Sequence, residues 1–440
     1  MGWNFDDNDS NKNNKKDNKI TKILLICIAI FSIFIISIIL LLIYIDNNTF
    51  KLIINGKETT KYSEDLIVEE DNNIYISLKD FATLAGYTYH SGEYKEYSKD
   101  ETKAYVESKK ETASFYLNSN KVFKLEPDKT NEDYEVFTVK NNIKKINDKI
   151  YAPLDAIQIA FNASVIYNTN NMTIKTLESL VTDWKNDANK KGYELSESFE
   201  NQKAILYGYL VVKNSEKGLY GILDTKYNEI ISPRYNEIKF LENAKEFLVT
   251  TNQNKVGIVD SQGKNKINQI YDSIKLIDEK NQIYLISQEQ KYGVISKDGQ
   301  YIIHPEYDKI GIDSSIYKNV ESQYILLENF IPVCKNDKWG AFDIKGTMIL
   351  SPSYNGFGCE TTSQTGVIPI VEIPEVKGIV LKSGELYGII SNEAKELIPI
   401  ALKDVYGIIN AGKTQYYMTY KDNKMDVIEY INKNVKTEER

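Results

Sequence analysis

The side chains able to do chemistry are few in kind and regular in position. Two histidines, His90 and His304, and three cysteines, Cys27, Cys334 and Cys359, occur in 440 residues. So few soft ligands leave no set for a zinc, haem or iron–sulfur centre, and no metal or cofactor is expected. His90 lies alone in a strand-like stretch and reads as a solvated or hydrogen-bonded side chain. His304 precedes Pro305 where other copies of a repeat carry Ser-Pro, which makes it a substituted structural position and not half of a dyad with Cys334. Asp224, Asp260 and Asp343 each follow a recurring glycine by three residues, the place of a turn-capping side chain. A calcium loop needs more oxygens, and no Asp-x-Asp-x-Asp-Gly occurs. The glycines form neither Gly-x-Gly-x-x-Gly nor a Walker sequence, and close strand approach explains them. There is no Gly-x-Ser-x-Gly elbow for a serine nucleophile. Sixty-two Asp and Glu leave a carboxylate pair for glycoside hydrolysis open. Exposed tyrosines from successive repeats, among 32 in the chain, are the more telling surface, because sugar rings or peptides stack on them. No catalytic residue is assigned, and the ligand-binding residues are not identified by the sequence.

The elements that hold these residues begin with an uncharged run. Ile23 to Ile45 is 23 residues long, 18 of them Ile, Leu or Phe. As a helix it would span about 34 Å against roughly 30 Å of hydrocarbon, so a single transmembrane helix is expected, with the membrane as partner. A cleaved signal peptide fits less well, because no small-x-small site follows the run. Lys12, Lys15, Lys16, Lys19 and Lys22 precede it, which places the short N-terminal tail (1–22) in the cytoplasm and the C-terminal portion outside. A net charge of −8 with no basic domain argues against nucleic acid. Cys334 and Cys359 would then face an oxidising compartment, where one bridge or two buried thiols both fit.

From 46 to 176 one segment recurs at an offset of 76 residues. Ile74-Tyr75-Ile76-Ser77-Leu78 through Gly86 is matched by Ile150-Tyr151-Ala152-Pro153-Leu154 through Asn162. Each copy reads as a strand, a helix start at Ser77 or Pro153, and a helix burying one stripe: Leu78, Phe81, Ala82 and Ala85, then Leu154, Ile157 and Phe161. With Ile53-Ile54-Asn55-Gly56-Lys57, these residues resemble the copper amine oxidase N-terminal-like domain of bacterial surface proteins. That resemblance implies an α+β stalk or binding unit, not an oxidase. Leu177, Leu180, Val181 and Trp184 predict a short helix, and 177–203 reads as helix and linker.

The segment 204–430 is an array. Gly221, Gly257, Gly293, Gly340 and Gly388 are separated by 36, 36, 47 and 48 residues. A tyrosine follows fourteen positions later in the first four copies, at Tyr235, Tyr271, Tyr307 and Tyr354, and an aromatic usually precedes the glycine, as at Tyr220, Tyr292, Trp339 and Tyr387. Each copy reads as three to four short antiparallel strands that cannot cover their own apolar face, so neighbours must stack. A sixth, partial copy is read from Asn423 to Val427. Lys338-Trp339-Gly340-Ala341-Phe342-Asp343, with Gly346 and Pro352-Ser353-Tyr354, resembles bacterial WG repeats. The expected all-β repeat domain is β-propeller-like or an open β-solenoid, followed by a polar tail (431–440).

Together these readings predict a single-pass, non-catalytic cell-surface binding protein that presents the repeat domain to a cell-wall polymer or a surface protein. The alternatives are a wall-polymer enzyme using repeat-domain carboxylates, and a sensor signalling through a membrane partner.

Overall fold

A computed structural model describes residues 30–41, 44, 51–59, 66–91, 102–126, 134–168, 171–317, 320, 322–360, 366–410 and 412–435. The chain divides into two compact units, Met1–Asp187 and Ala188–Arg440. The division falls inside a helix, Leu177–Lys190.

In the first unit the two copies of the duplication pair with each other. Asn73–Ser77 runs antiparallel to Lys149–Pro153, with Ile76 opposite Ala152, its equivalent at the 76-residue offset. Tyr75 faces Pro153 and Ser77 faces Tyr151, so the register has local two-fold symmetry about that central pair. Each strand leads into a short helix, Leu78–Ala85 or Leu154–Ala160. The Ser77 hydroxyl accepts the Asp80 N–H at 3.4 Å, and Gly86 closes the first helix at φ +80°. Phe81 stacks on Phe161 at 5.4 Å between ring centroids, and both are buried in one core. A second sheet is mixed, its strand Lys51–Ile54 parallel to Asn171–Lys175, and a five-stranded meander runs from Thr88 to Thr138. Within this unit the Lys124 ammonium lies buried between Glu111 and Glu126, at 3.2 and 3.3 Å. Asn162 donates a further hydrogen bond of 2.7 Å to Glu111.

The second unit is five successive antiparallel sheets in chain order. The first comprises Tyr193–Leu195, Tyr209–Asn214, Tyr220–Asp224 and Glu229–Tyr235. Its opening strand lies in the stretch read as linker; Leu195 is buried there opposite Val212, and apolar burial overrides the polar composition around it. Sheets two, three and four are four-stranded meanders covering Glu237–Tyr271, Ser273–Tyr307 and Lys309–Tyr354. The fifth opens at Gly356–Phe357 and continues past its fourth strand. Lys413–Tyr420 and Asn423–Asp426 extend this same sheet before a final helix, Val427–Asn434, so the residues read as a sixth copy complete the fifth sheet.

Apolar clusters join each sheet to the next. Ile231 and Tyr235 of the first pack with Phe247 and Val249 of the second, and Ile258 and Tyr271 of the second with Tyr284 and Ile286 of the third. Val294 and Tyr307 pack with Ile331 and Val333, and Phe330 and Ala341 with Leu381 and Ile390. Every sheet is stabilised by its neighbours, as a repeat array requires.

The expected fold class needs correction. Among the described residues no helix is long and apolar enough to cross a membrane. Of the run read as a span, the helical residues 30–41 and 44 are described; 1–29, 42, 43 and 45 lie outside the described residues, and with them the charged tail and Cys27. The first unit is also mostly β, its two core helices being eight and seven residues long.

Candidate functional site

The repeated residues are framework. At Gly221, Gly257 and Gly293 an added Cβ would stand 2.6 Å from the carbonyl oxygen of Ile231, Ile267 and Ile303, respectively, and at Gly340 the Leu350 carbonyl is closer still. The cause is an irregularity in the adjoining strand: register shifts there press its backbone onto the glycine. The turn glycines serve the next junction. Gly263, at φ +79°, would place a Cβ 2.6 Å from the Ile230 carbonyl of the preceding sheet, and Gly346, at φ +88°, lies equally close on Ile302. The aspartates three residues after the framework glycines are turn caps. Asp224 accepts the N–H groups of Lys226 and Asn228, Asp260 those of Gln262 and Lys264, and Asp343 those of Lys345 and Thr347. Ser296 and Ser391 do the same with their hydroxyls in copies three and five.

The fourteen-position tyrosines of the first three copies are not among the exposed ones. Tyr235, Tyr271 and Tyr307 are 4%, 3% and 2% exposed and belong to the clusters between sheets. Tyr292 and Tyr301 are exposed. His304 lies 4.5 Å from the Tyr301 ring and His90 3.8 Å from Glu107, which leaves both with structural neighbours. Cys334 and Cys359 are unpaired and buried, and burial pushes both thiols up, away from nucleophilic use. Among the described residues no group of three His, Cys, Asp or Glu is placed to hold a metal ion.

Copies four and five differ from the others in length, by eleven and twelve residues beyond the 36-residue period. The added residues lie around 311–329, between Lys309–Ile310 and Phe330–Lys335, and around 358–377, between Gly356–Phe357 and Gly378–Ser383, where the short strands Val367–Ile368 and Glu372–Ile373 also pair into the fifth sheet. They interlock. Buried Glu372 of the second insertion accepts the Leu327 N–H of the first at 3.0 Å. The Tyr317 hydroxyl donates to the Phe357 carbonyl at 3.0 Å, and its ring fills the space a side chain at Gly358 would need.

Between the two insertions and the sheet face lies a groove of about 190 Å³. Trp339, the aromatic before Gly340, lines it with Phe357, whose ring stands edge-on at 6.0 Å. Asp313, Asn355, Glu360 and Lys382 supply its polar groups. The Ser315 hydroxyl and N–H both donate to Asp313 and hold its carboxyl below the usual range. Asn355 commits its side-chain carbonyl to the Gly384 N–H at 2.8 Å. Burial pushes the Tyr317 hydroxyl well up, with Glu360 adding to the effect, so Tyr317 stays a neutral wall. The arrangement sets the half-buried indole of Trp339 among polar side chains, of which Asp313 and Asn355 are held by hydrogen bonds. Sequence reasoning missed it, although the lengthened spacing at copies four and five was the available signal.

A tandem β-repeat protein is what fold and site define. More narrowly, a family model described as the WG containing repeat matches residues 220–245 and 292–315, so these two segments are similar to WG repeats. No curated protein matches. Solved structures similar to the chain include PorZ, described as an essential bacterial surface component of the type-IX secretion system of Porphyromonas gingivalis, at 9% identity and a TM-score of 0.19. That alignment covers 73% of this chain and 44% of PorZ, so the chain spans less than half of that protein. Others are the C-terminal WD40 domain of Sif2, at 9% identity and a TM-score of 0.19 over 75% and 79% of the two chains, and KlHsv2 with loop 6CD replaced by a Gly-Ser linker, with the same two values over 74% and 96%. Superpositions this loose bear on neither fold nor function.

Proposed function

We propose that this protein is a non-catalytic binding protein of the cell surface, whose WG-repeat domain captures a cell-wall polymer or surface protein in the groove beside Trp339. The single observation that carries the reading is the meeting of two repeat insertions around a tryptophan and four polar side chains. Binding sites are concave, partly apolar and furnished with a few placed polar groups, and the groove has that composition. The first unit, with its duplicated strand–helix halves, serves in this reading as a copper amine oxidase N-terminal-like stalk.

Hydrolysis of a wall polymer is the competing reading, because two carboxylates line the groove. It requires one carboxyl to stay protonated near neutrality. Asp313 is pushed in the opposite direction, which favours a hydrogen-bond acceptor. The test is a pull-down of the full chain against cell-wall fractions and membrane extracts, comparing wild type with Trp339→Ala. Capture that falls at least tenfold in the variant supports the reading; equal capture removes the groove from it. Protease added to intact cells tests the surface location, since the repeat domain should be digested before lysis.

A further inference from the structure

The polar set of the groove narrows the ligand. Asp313 and Glu360 present acceptors, while Lys382 and the NH₂ of Asn355, whose carbonyl is already engaged, present donors. A cationic side chain only donates, and it would meet the Lys382 ammonium. An anionic group, a carboxylate or phosphate, only accepts, and it would meet two carboxylates. A sugar hydroxyl does both, and its ring carries an apolar face that suits indole. The volume of about 190 Å³ is below the roughly 300–1,000 Å³ of pockets for drug-sized ligands, which suits one ring rather than a longer segment.

Resting on the binding function proposed above, we propose that the groove takes one ring of a neutral glycan, laid on Trp339 and bonded through its hydroxyls to Asp313, Asn355, Glu360 and Lys382. The walls are fixed before binding by the Tyr317–Phe357 and Leu327–Glu372 hydrogen bonds, so little ordering opposes capture.

The experiment is calorimetric titration of the full chain with four probes: β-1,4-linked tetramers of N-acetylglucosamine and of glucose, polygalacturonate, and a tetra-arginine peptide. Two variants disable the groove differently. Trp339→Ala removes the platform. Gly356→Leu fills the groove from a glycine whose added Cβ meets nothing within 4 Å, so the core is left intact. A third variant, Asp313→Asn, keeps an acceptor and removes the charge.

The proposal expects a neutral tetramer to bind, with affinity falling at least tenfold in Trp339→Ala and Gly356→Leu and by no more than threefold in Asp313→Asn. Three results overturn it. The first is binding of tetra-arginine alone, lost in Asp313→Asn. The second is binding of polygalacturonate alone. The third is binding of a neutral tetramer that none of the variants weakens. If none of the four probes binds while wall capture still depends on Trp339, the glycan assignment falls and the binding function stands. If wall capture ignores both groove variants, both fall together.

Discussion

At Gly293 a methyl group would sit 2.6 Å from the Ile303 carbonyl oxygen and 2.8 Å from the Pro305 nitrogen, both backbone atoms that cannot swing aside. Gly293→Ala is therefore expected to cost about 1–3 kcal/mol, the usual range for overpacking, whereas Gly356→Ala, facing open space, should change stability by less than about 0.5 kcal/mol. Urea midpoints of the two variants check this pair, and equal midpoints would contradict it. Lys124 is a second sensitive residue, its side chain 2% exposed between two carboxylates. Lys124→Met removes the ammonium beside buried Glu111 and should cost about 3–5 kcal/mol, while adding Glu111→Gln to that variant should recover part of the loss. Thermal melts of the single and double variants measure the recovery. The glycines were legible in the sequence as packing positions because their spacing recurs. The strand irregularity that makes them obligatory was not legible, because it lies in the backbone of a strand ten residues away.

Between elements, the residue after the buried tyrosine clips consecutive sheets together. Asp272 accepts the Glu289 N–H of sheet three at 2.7 Å and pairs with Lys255 of sheet two at 2.6 Å; Asp308 accepts the Asn336 N–H and pairs with Lys291 in the same way one repeat later. The lysine and the backbone donor hold both carboxyls below their ordinary value. A carboxyl whose folded value is depressed adds stability that is complete above its unfolded value, near ~3.9, and that is lost as pH falls through the folded value. Acid below about pH 4 should thus cost wild type more than the Asp272→Asn/Asp308→Asn variant. Urea midpoints at pH 7 and pH 3 test this, and an equal drop in both proteins would remove the clip from the acid response. The strands of each copy were legible from turn residues and alternation, and so was the helix from Leu177. The strand Tyr193–Leu195 was not, because its polar neighbours masked a short segment recruited by the edge of the first sheet.

The whole second unit behaves as a chain of neighbours, since each apolar cluster is shared by adjacent sheets. Phe247→Ala, in the cluster joining sheets one and two, should cost about 3–5 kcal/mol. It should raise amide exchange in those two sheets before the fifth; uniform acceleration would mean a single cooperative core instead. The array was visible in the sequence because a 36-residue period and a fixed glycine–tyrosine offset leave little room for other architectures. The groove was hidden, because its lining comes from Asp313, Trp339, Glu360 and Lys382, which no local pattern links, and only the lengthened copies mark the place. Amide exchange of the full chain with and without solubilised cell-wall fragments tests the central claim most directly. Protection concentrated at 312–317, 355–360 and 380–384 is the predicted result. Protection spread along the other repeats, or confined to the first unit, would contradict it.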